Sequence, residues 1–199
     1  MDIRDSYNQI CDAWDAFRKS TPVNPCIASF AERLPSGASV LDVGCGTGYP
    51  VDAYLAEKGF RVIGIDVSEK MIEKARAQRL RGSAFFRADI LNFQPARTYD
   101  AVIAMDSLWH IAHDRQAELY SKISSLLHTG GWLFFTHGKK DGEVTGEMFG
   151  ETFYYSALDK DTVLSLLAQN GFQVISLLED YEEATTGDRE LMVTARKIG

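Results

Sequence analysis

A chain of 199 residues with 45% hydrophobic content is sized and composed for one globular domain with its own core. The formal net charge of −7, with no strongly basic stretch, argues against nucleic-acid binding, which draws much of its affinity from Lys and Arg neutralising phosphates. No apolar run approaches bilayer length, Met1-Asp2-Ile3-Arg4-Asp5 lacks the apolar core of a signal peptide, and three cysteines (Cys11, Cys26, Cys45) cannot all pair, so a cytoplasmic protein without a membrane partner is expected.

The first elements are helical. Tyr7, Ile10, Cys11, Trp14 and Phe17 share one helical face. Asn24 reads as an N-cap with Pro25 in the first turn, followed by Ile27, Phe30, Ala31 and Leu34. Pro35-Ser36-Gly37 closes this helical extension, which covers residues 1–35. From residue 36 the rhythm becomes strand, turn, helix, strand. Ser39 to Val43 reads as a buried strand, and a helix beginning at Pro50 stops at Lys58-Gly59. Arg61 to Ile65 is a second strand, and Ser68 caps a helix through about Gln78. Ala84 to Arg87 and Tyr99 to Met105 are the next strands. A helix from Asp114 turns Leu119, Ile123, Leu126 and Leu127 inward, with His128 in its last turn, and Gly130-Gly131 leads to strand Trp132 to Thr136.

Residues 141–158 fit neither period. Asp159 or Asp161 caps a helix ended by Asn170-Gly171, and strands Phe172 to Leu178 and Glu190 to Ala195 follow around Thr186-Gly187-Asp188. Alternating strands and helices predict an α/β doubly wound domain, with the last two strands antiparallel because no helix separates them.

Chemistry concentrates after the first strand. Gly44-Cys45-Gly46-Thr47-Gly48 lies at the carboxyl end of the sheet, where such folds bind ligands and where glycines admit close backbone approach. Asp66 ends the second strand, where a carboxylate can accept both hydroxyls of a ribose. A dinucleotide motif needs a third glycine at position 49, which is Tyr49. Asp42, just before the loop, repels a pyrophosphate and favours a ligand carrying an ammonium and a sulfonium. Charge complementarity therefore prefers S-adenosylmethionine to a nicotinamide cofactor. The plainer alternative is a tight turn with Asp42 facing away.

Val40-Leu-Asp-Val-Gly-Cys-Gly-Thr-Gly48 and Val62-Ile-Gly-Ile-Asp-Val-Ser68 resemble the first two motifs of class I S-adenosylmethionine-dependent methyltransferases. Arg87 to Ile90, Tyr99 to Ser107 and Leu127 to Leu133 are similar to later segments of that family, in its order. The resemblance implies a Rossmann-like seven-stranded sheet of order 3-2-1-4-5-7-6 with strand 7 antiparallel. It implies that Gly44, Cys45, Gly46 and Gly48 flank the methionine part of the cofactor, and that Asp42 serves its amino group. Asp66 would hold the ribose, Val67 and Ile90 the adenine ring, and Asp89 the adenine amino group. Met105 and Asp106 would lie beside the reacting centre.

His110, just after the fourth strand, is the candidate general base; the alternative is a histidine bonded to a backbone carbonyl. His113 shares its neighbourhood with Asp106 and His110, but no metal site is expected from so sparse a cluster. His137 either lines an acceptor pocket or finishes its strand. Tyr7 and Trp14 are expected to cover the cofactor as a lid, with Arg18 near its carboxylate or exposed. Residues 141–158, with Met148, Phe149, Phe153, Tyr154 and Tyr155, are expected to form a flap over the acceptor site or a hairpin at the sheet edge. The expected activity is methyl transfer to a small molecule. The alternatives are a module that binds the cofactor without catalysis and a nicotinamide-dependent oxidoreductase.

Overall fold

The computed structural model describes residues 2–199. In chain order its elements are α1 (Ile3–Ser20), α2 (Pro25–Ala31), β1 (Ser39–Val43), α3 (Val51–Glu57), β2 (Arg61–Asp66), α4 (Glu69–Ala77), β3 (Ser83–Arg87), β4 (Tyr99–Ala104), α5 (Gln116–Leu126) and β5 (Leu127–His137). A hairpin of β6 (Gly142–Met148) and β7 (Glu151–Ala157) follows, then α6 (Lys160–Gln169), β8 (Phe172–Tyr181) and β9 (Arg189–Lys197).

Seven strands form one sheet in the order β3-β2-β1-β4-β5-β9-β8. β9 runs antiparallel to both β5 and β8. With the inserted hairpin left out of the count, this is the order 3-2-1-4-5-7-6. The hairpin stands apart as its own two-stranded sheet.

The strands are buried on both faces, and their period of two divides the core. Leu41, Val102, Leu133 and Val193 face α5 and α6, joined by Leu119, Ile123 and Leu167. Val40, Val62, Ile103 and Phe134 face the other way, against Ile27 and Phe30 of α2 and Leu55 of α3. Side-chain caps fix several helix starts: Asn24 accepts from Cys26 N, Ser68 from Met71 N and Asp159 from Thr162 N.

α1 belongs to neither layer. Its buried Ile10 and Cys11 pack with Met71 of α4 and Phe153 of β7, which lays the helix across the ligand edge of the sheet. The hairpin is therefore not at a sheet edge; it rests on α1 and on the 3-10 turn Leu108–His110.

Several boundaries differ from the sequence reading. α3 begins at Val51, one residue after Pro50. Asp114 lies in a 3-10 turn (His113–Arg115) and α5 starts at Gln116. β5 begins at Leu127, which pairs with Tyr99 across a register shift, so Gly130-Gly131 lies inside the strand. His128 is accordingly a strand residue. Its ring nitrogens lie against Thr129 O and Asp100 Oδ1, and those bonds raise its pKa. No helix among the described residues is long and apolar enough to cross a membrane.

Candidate active site

The carboxyl ends of β1, β2 and β4 and the segment after β3 converge on one cavity, with α1 as its roof. Asp42, Gly44, Cys45 and Gly46 line it from the first turn, Asp66 and Val67 from the second, Asp89 and Ile90 from the third. Met105, Asp106 and His110 line it after β4, and Tyr7, Trp14 and Arg18 descend from α1.

Gly48 is the exception among the expected residues. A Cβ there would meet Phe85 Cζ at 3.5 Å and Leu80 Cδ1 at 3.6 Å, so it faces β3 and α4 instead of the cavity. Its φ of +84° is a backbone requirement of the turn. Gly44 is more constrained still. At φ +79°, a Cβ would stand 2.4 Å from Ser107 Cβ, whose hydroxyl donates to Val43 O at 2.6 Å. Over Gly46, a Cβ would approach Trp14 Nε1 to 3.2 Å. The loop thus presents bare backbone beneath an indole, a cradle that added side chains would fill.

Asp66 accepts from Gly46 N at 3.0 Å and Ser68 N at 2.8 Å. Burial pushes its carboxyl up to about 6 against these bonds. Asp89 is tied locally, accepting from Leu91 N at 2.9 Å and Asn92 Nδ2 at 3.2 Å. Cys45 is buried, and that burial drives its thiol well above the ordinary range, away from the reactive thiolate. Arg18 lies 5.4 Å from the Trp14 ring centroid and donates Nε–H to Tyr49 O at 3.4 Å.

At the far wall, His110 Nδ1 is 2.8 Å from the Tyr154 carbonyl oxygen. A carbonyl can only accept, so Nδ1 carries the proton and Nε2 offers its lone pair to the Tyr7 hydroxyl, 2.8 Å away. Burial lowers the His110 pKa to about 4, opposed by the bond to Tyr154 O and by Asp106, so the ring is neutral at pH 7. Tyr7 is half-buried, and its hydroxyl is pushed well above the usual phenol value by desolvation, then by Asp66, Tyr155 and Asp106.

Asp106 adopts a left-handed backbone, φ +58°, and its carboxylate is held by both Nε and Nη2 of Arg189. Thr136 Oγ1 accepts from Asp106 N at 2.7 Å. Beyond this ion pair lies a second cavity of about 490 Å³, lined by Trp109, Tyr155, His137, Lys140 and Arg189 among others. That volume lies in the range of small-molecule sites. His137 is fully buried there, with Nε2 2.9 Å from Gln116 Oε1. His113 Nε2 pairs instead with Asp141 at 2.9 Å. Among the described residues, no three His, Cys, Asp or Glu side chains sit together as metal ligands would.

A profile described as a methyltransferase domain matches residues 40–131. A ubiquinone biosynthesis O-methyltransferase of Nitrosomonas europaea is 23% identical over 192 residues, 90% of this chain and 77% of that one. The magnesium protoporphyrin IX methyltransferase of Synechocystis, solved with bound S-adenosylmethionine, superposes with a TM-score of 0.74 at 22% identity, over 98% of this chain and 95% of that one. The 1,6-didemethyltoxoflavin-N1-methyltransferase of Burkholderia thailandensis, solved with S-adenosylhomocysteine, superposes at 0.73 and 23% identity, over 98% and 85%.

Residues 40–131 are thus a methyltransferase domain, and the chain as a whole is similar to class I S-adenosylmethionine-dependent methyltransferases. The match to a methyltransferase domain disfavours the nicotinamide-dependent oxidoreductase alternative. Sequence reasoning about this methyltransferase missed Ser107 and Arg189. Ser107 had a signal, since a glycine at the end of a strand implies a close neighbour. Arg189 had none, because 83 residues separate it from Asp106.

Proposed function

We propose that this methyltransferase methylates an oxygen of a small-molecule acceptor, with Tyr7 and His110 taking up the acceptor's proton. The observation that carries this reading is the neutral Nδ1–H imidazole at the cavity wall, whose lone pair receives the Tyr7 hydroxyl. S-adenosylmethionine supplies a methyl group on an already activated sulfonium. The chain's work is to bind, align and keep water out.

In this reading Gly44 and Gly46 hold the methionine part by backbone, and Asp42 neutralises the amino group. Asp66 takes the ribose hydroxyls, Val67 and Ile90 flank the adenine, and Asp89 accepts from its amino group. Met105 and Asp106 border the reacting centre. The acceptor enters through the cavity beyond Asp106 and Arg189, where Trp109 and Tyr155 provide apolar walls. Residues 1–199 act as one domain, with Tyr7 and Trp14 of the helical extension 1–35 as lid and residues 141–158 as acceptor-site flap. A cytosolic metabolite fits the acidic chain without a membrane-crossing helix. An oxygen acceptor is supported by curated relatives named O-methyltransferases.

Tyr7 can pass its own proton to His110 Nε2 as it takes one from the acceptor, so the pair suits a hydroxyl more than a carboxylate. The test is incubation with methyl-labelled cofactor and fractionated cytosolic metabolites, followed by mass identification of the labelled product. A labelled methyl ether is expected. A product labelled only on nitrogen or carbon would overturn the oxygen assignment.

A further inference from the structure

Two carboxyls lie one behind the other beside the glycine loop. Asp42 lines the cofactor cavity and is 4% exposed; Asp52, in the first turn of α3, is 0% exposed. Both Asp52 oxygens are buried with no hydrogen-bond donor in the described protein, and the side chain close enough to share a proton with them is that of Asp42. Two ionised carboxylates cannot share a hydrogen bond, so one of them holds a proton.

The charged groups facing Asp42 are Asp52 from α3, Asp66 from β2 and Arg18 from α1. Arg18 is the one cation among them, and its bond goes to the Tyr49 carbonyl, not to Asp42. Buried carboxylates without a paired cation favour the neutral form. Burial first, then the charge of Asp66, brings Asp42 up to about 7 although its neighbour Asp52 works the other way, and burial and Asp42 raise Asp52 well above the usual carboxylate range.

We propose that Asp52 stays protonated and donates to Asp42, and that the ammonium of S-adenosylmethionine expels a proton from Asp42 on binding. The inference rests on the reading in which Asp42 faces the cofactor's amino group. No bond is made or broken except O–H: the proton leaves Asp42 for solvent, and the ammonium replaces it as counter-charge. Asp52 is a positioning residue, acting on the cofactor only through Asp42.

The affinity for S-adenosylmethionine then falls as pH drops below the Asp42 value, tending toward about tenfold per pH unit. Asp66 also titrates in this range, at about 6. The compound 5′-methylthioadenosine separates the two, because it keeps adenine and ribose but lacks the amino-acid end. Work below about pH 7 keeps the cofactor's own amino group charged.

The experiment is calorimetric titration of the full chain with each compound between about pH 5.5 and 7, in buffers of different ionisation enthalpy. Proton release is expected with S-adenosylmethionine, about half a proton per site at pH 7 and more at pH 6, exceeding that with 5′-methylthioadenosine. Asp52→Asn, which can still donate, is expected to keep the profile. Asp52→Val is expected to move it to higher pH and weaken S-adenosylmethionine about tenfold at pH 7, leaving 5′-methylthioadenosine unchanged. Equal proton release with both compounds would overturn the inference while leaving the cofactor reading intact. Identical profiles for Asp52→Asn and Asp52→Val would overturn the role of Asp52. Failure of S-adenosylmethionine to bind at any pH would overturn both readings. Should Asp52→Val not fold, the wild-type heats alone decide.

Discussion

The two sides of the cavity are built by different means. On the β1–β2 side the surface is backbone: glycines at positive φ, held by Asp66 and packed against Ser107 and Trp14. On the β4 side it is side chains drawn from three distant segments, His110, Tyr7 and Arg189, with His110 anchored on the Tyr154 backbone carbonyl. A backbone surface depends on local turn chemistry and tolerates little substitution. A side-chain surface depends on tertiary placement, and its members can be exchanged while the fold stands. The first suits a ligand common to a whole family, the second an acceptor particular to one enzyme.

The sharpest way to break this comparison is Gly44→Ala. Strain at positive φ and the overlap with Ser107 are expected to cost about 3–5 kcal/mol of stability and more than about 100-fold in cofactor affinity. Denaturant unfolding and calorimetry check both; a well-bound cofactor would show that the loop is not the rigid half. Next is Asp106→Asn on the opposite side. Removing one partner of this mostly buried ion pair is expected to cost about 3 kcal/mol, read as a shift in the denaturant midpoint.

His110→Gln is expected to lower turnover about 100-fold with cofactor affinity in place, because only the proton acceptor is lost. Unchanged turnover would remove His110 from the chemistry. A smaller effect, about 1 kcal/mol, is expected of Phe149→Ala at the hairpin tip, where the ring meets Trp14 and Phe17 edgewise. Cofactor dissociation should quicken about fivefold, measured by stopped-flow quenching of tryptophan fluorescence.

The last prediction concerns pH. Asp42 and Asp66 have folded values of about 7 and about 6, above the ordinary carboxylate value near about 4. A raised value means that stability is fully present below about 4 and is lost as pH rises through the folded value. The free protein is therefore expected to melt several degrees lower at about pH 8 than at about pH 5, and bound S-adenosylmethionine to narrow the gap. Asp100 works the other way. Its bonds to Ser39 and His128, against burial, hold it at about 2, and its contribution disappears only as pH falls below about 4.

The legibility of the sequence followed the same division. The alternation of strands and helices, the glycine loop and Asp66 at the end of its strand announce themselves through period and turn chemistry, whereas the sheet order followed only from the resemblance to a known family. Gly48 shows the limit of that evidence: its conformation was readable, but the direction it faces depends on Phe85 and Leu80. Residues 141–158 were unreadable as strands because β6 lies largely exposed and only Phe153 and Ser156 of β7 are buried, which leaves no apolar alternation. The start of β5 was hidden for the opposite reason, since Leu126 and Leu127 continue a helical apolar spacing across the boundary. His110 was found from its place after β4. Its partners Tyr7 and Tyr154, 103 and 44 residues away, were not found as partners.

The Asp106–Arg189 pair has a consequence for assembly. A left-handed aspartate is unfavourable by itself, by about 1–2 kcal/mol, and here a guanidinium from the first residue of β9 helps hold it. The rim of the cavity beside the reacting centre therefore takes its shape only when the last strand has docked. A change at the start of β9 thus reaches the cavity rim directly, although 83 residues separate Arg189 from Asp106.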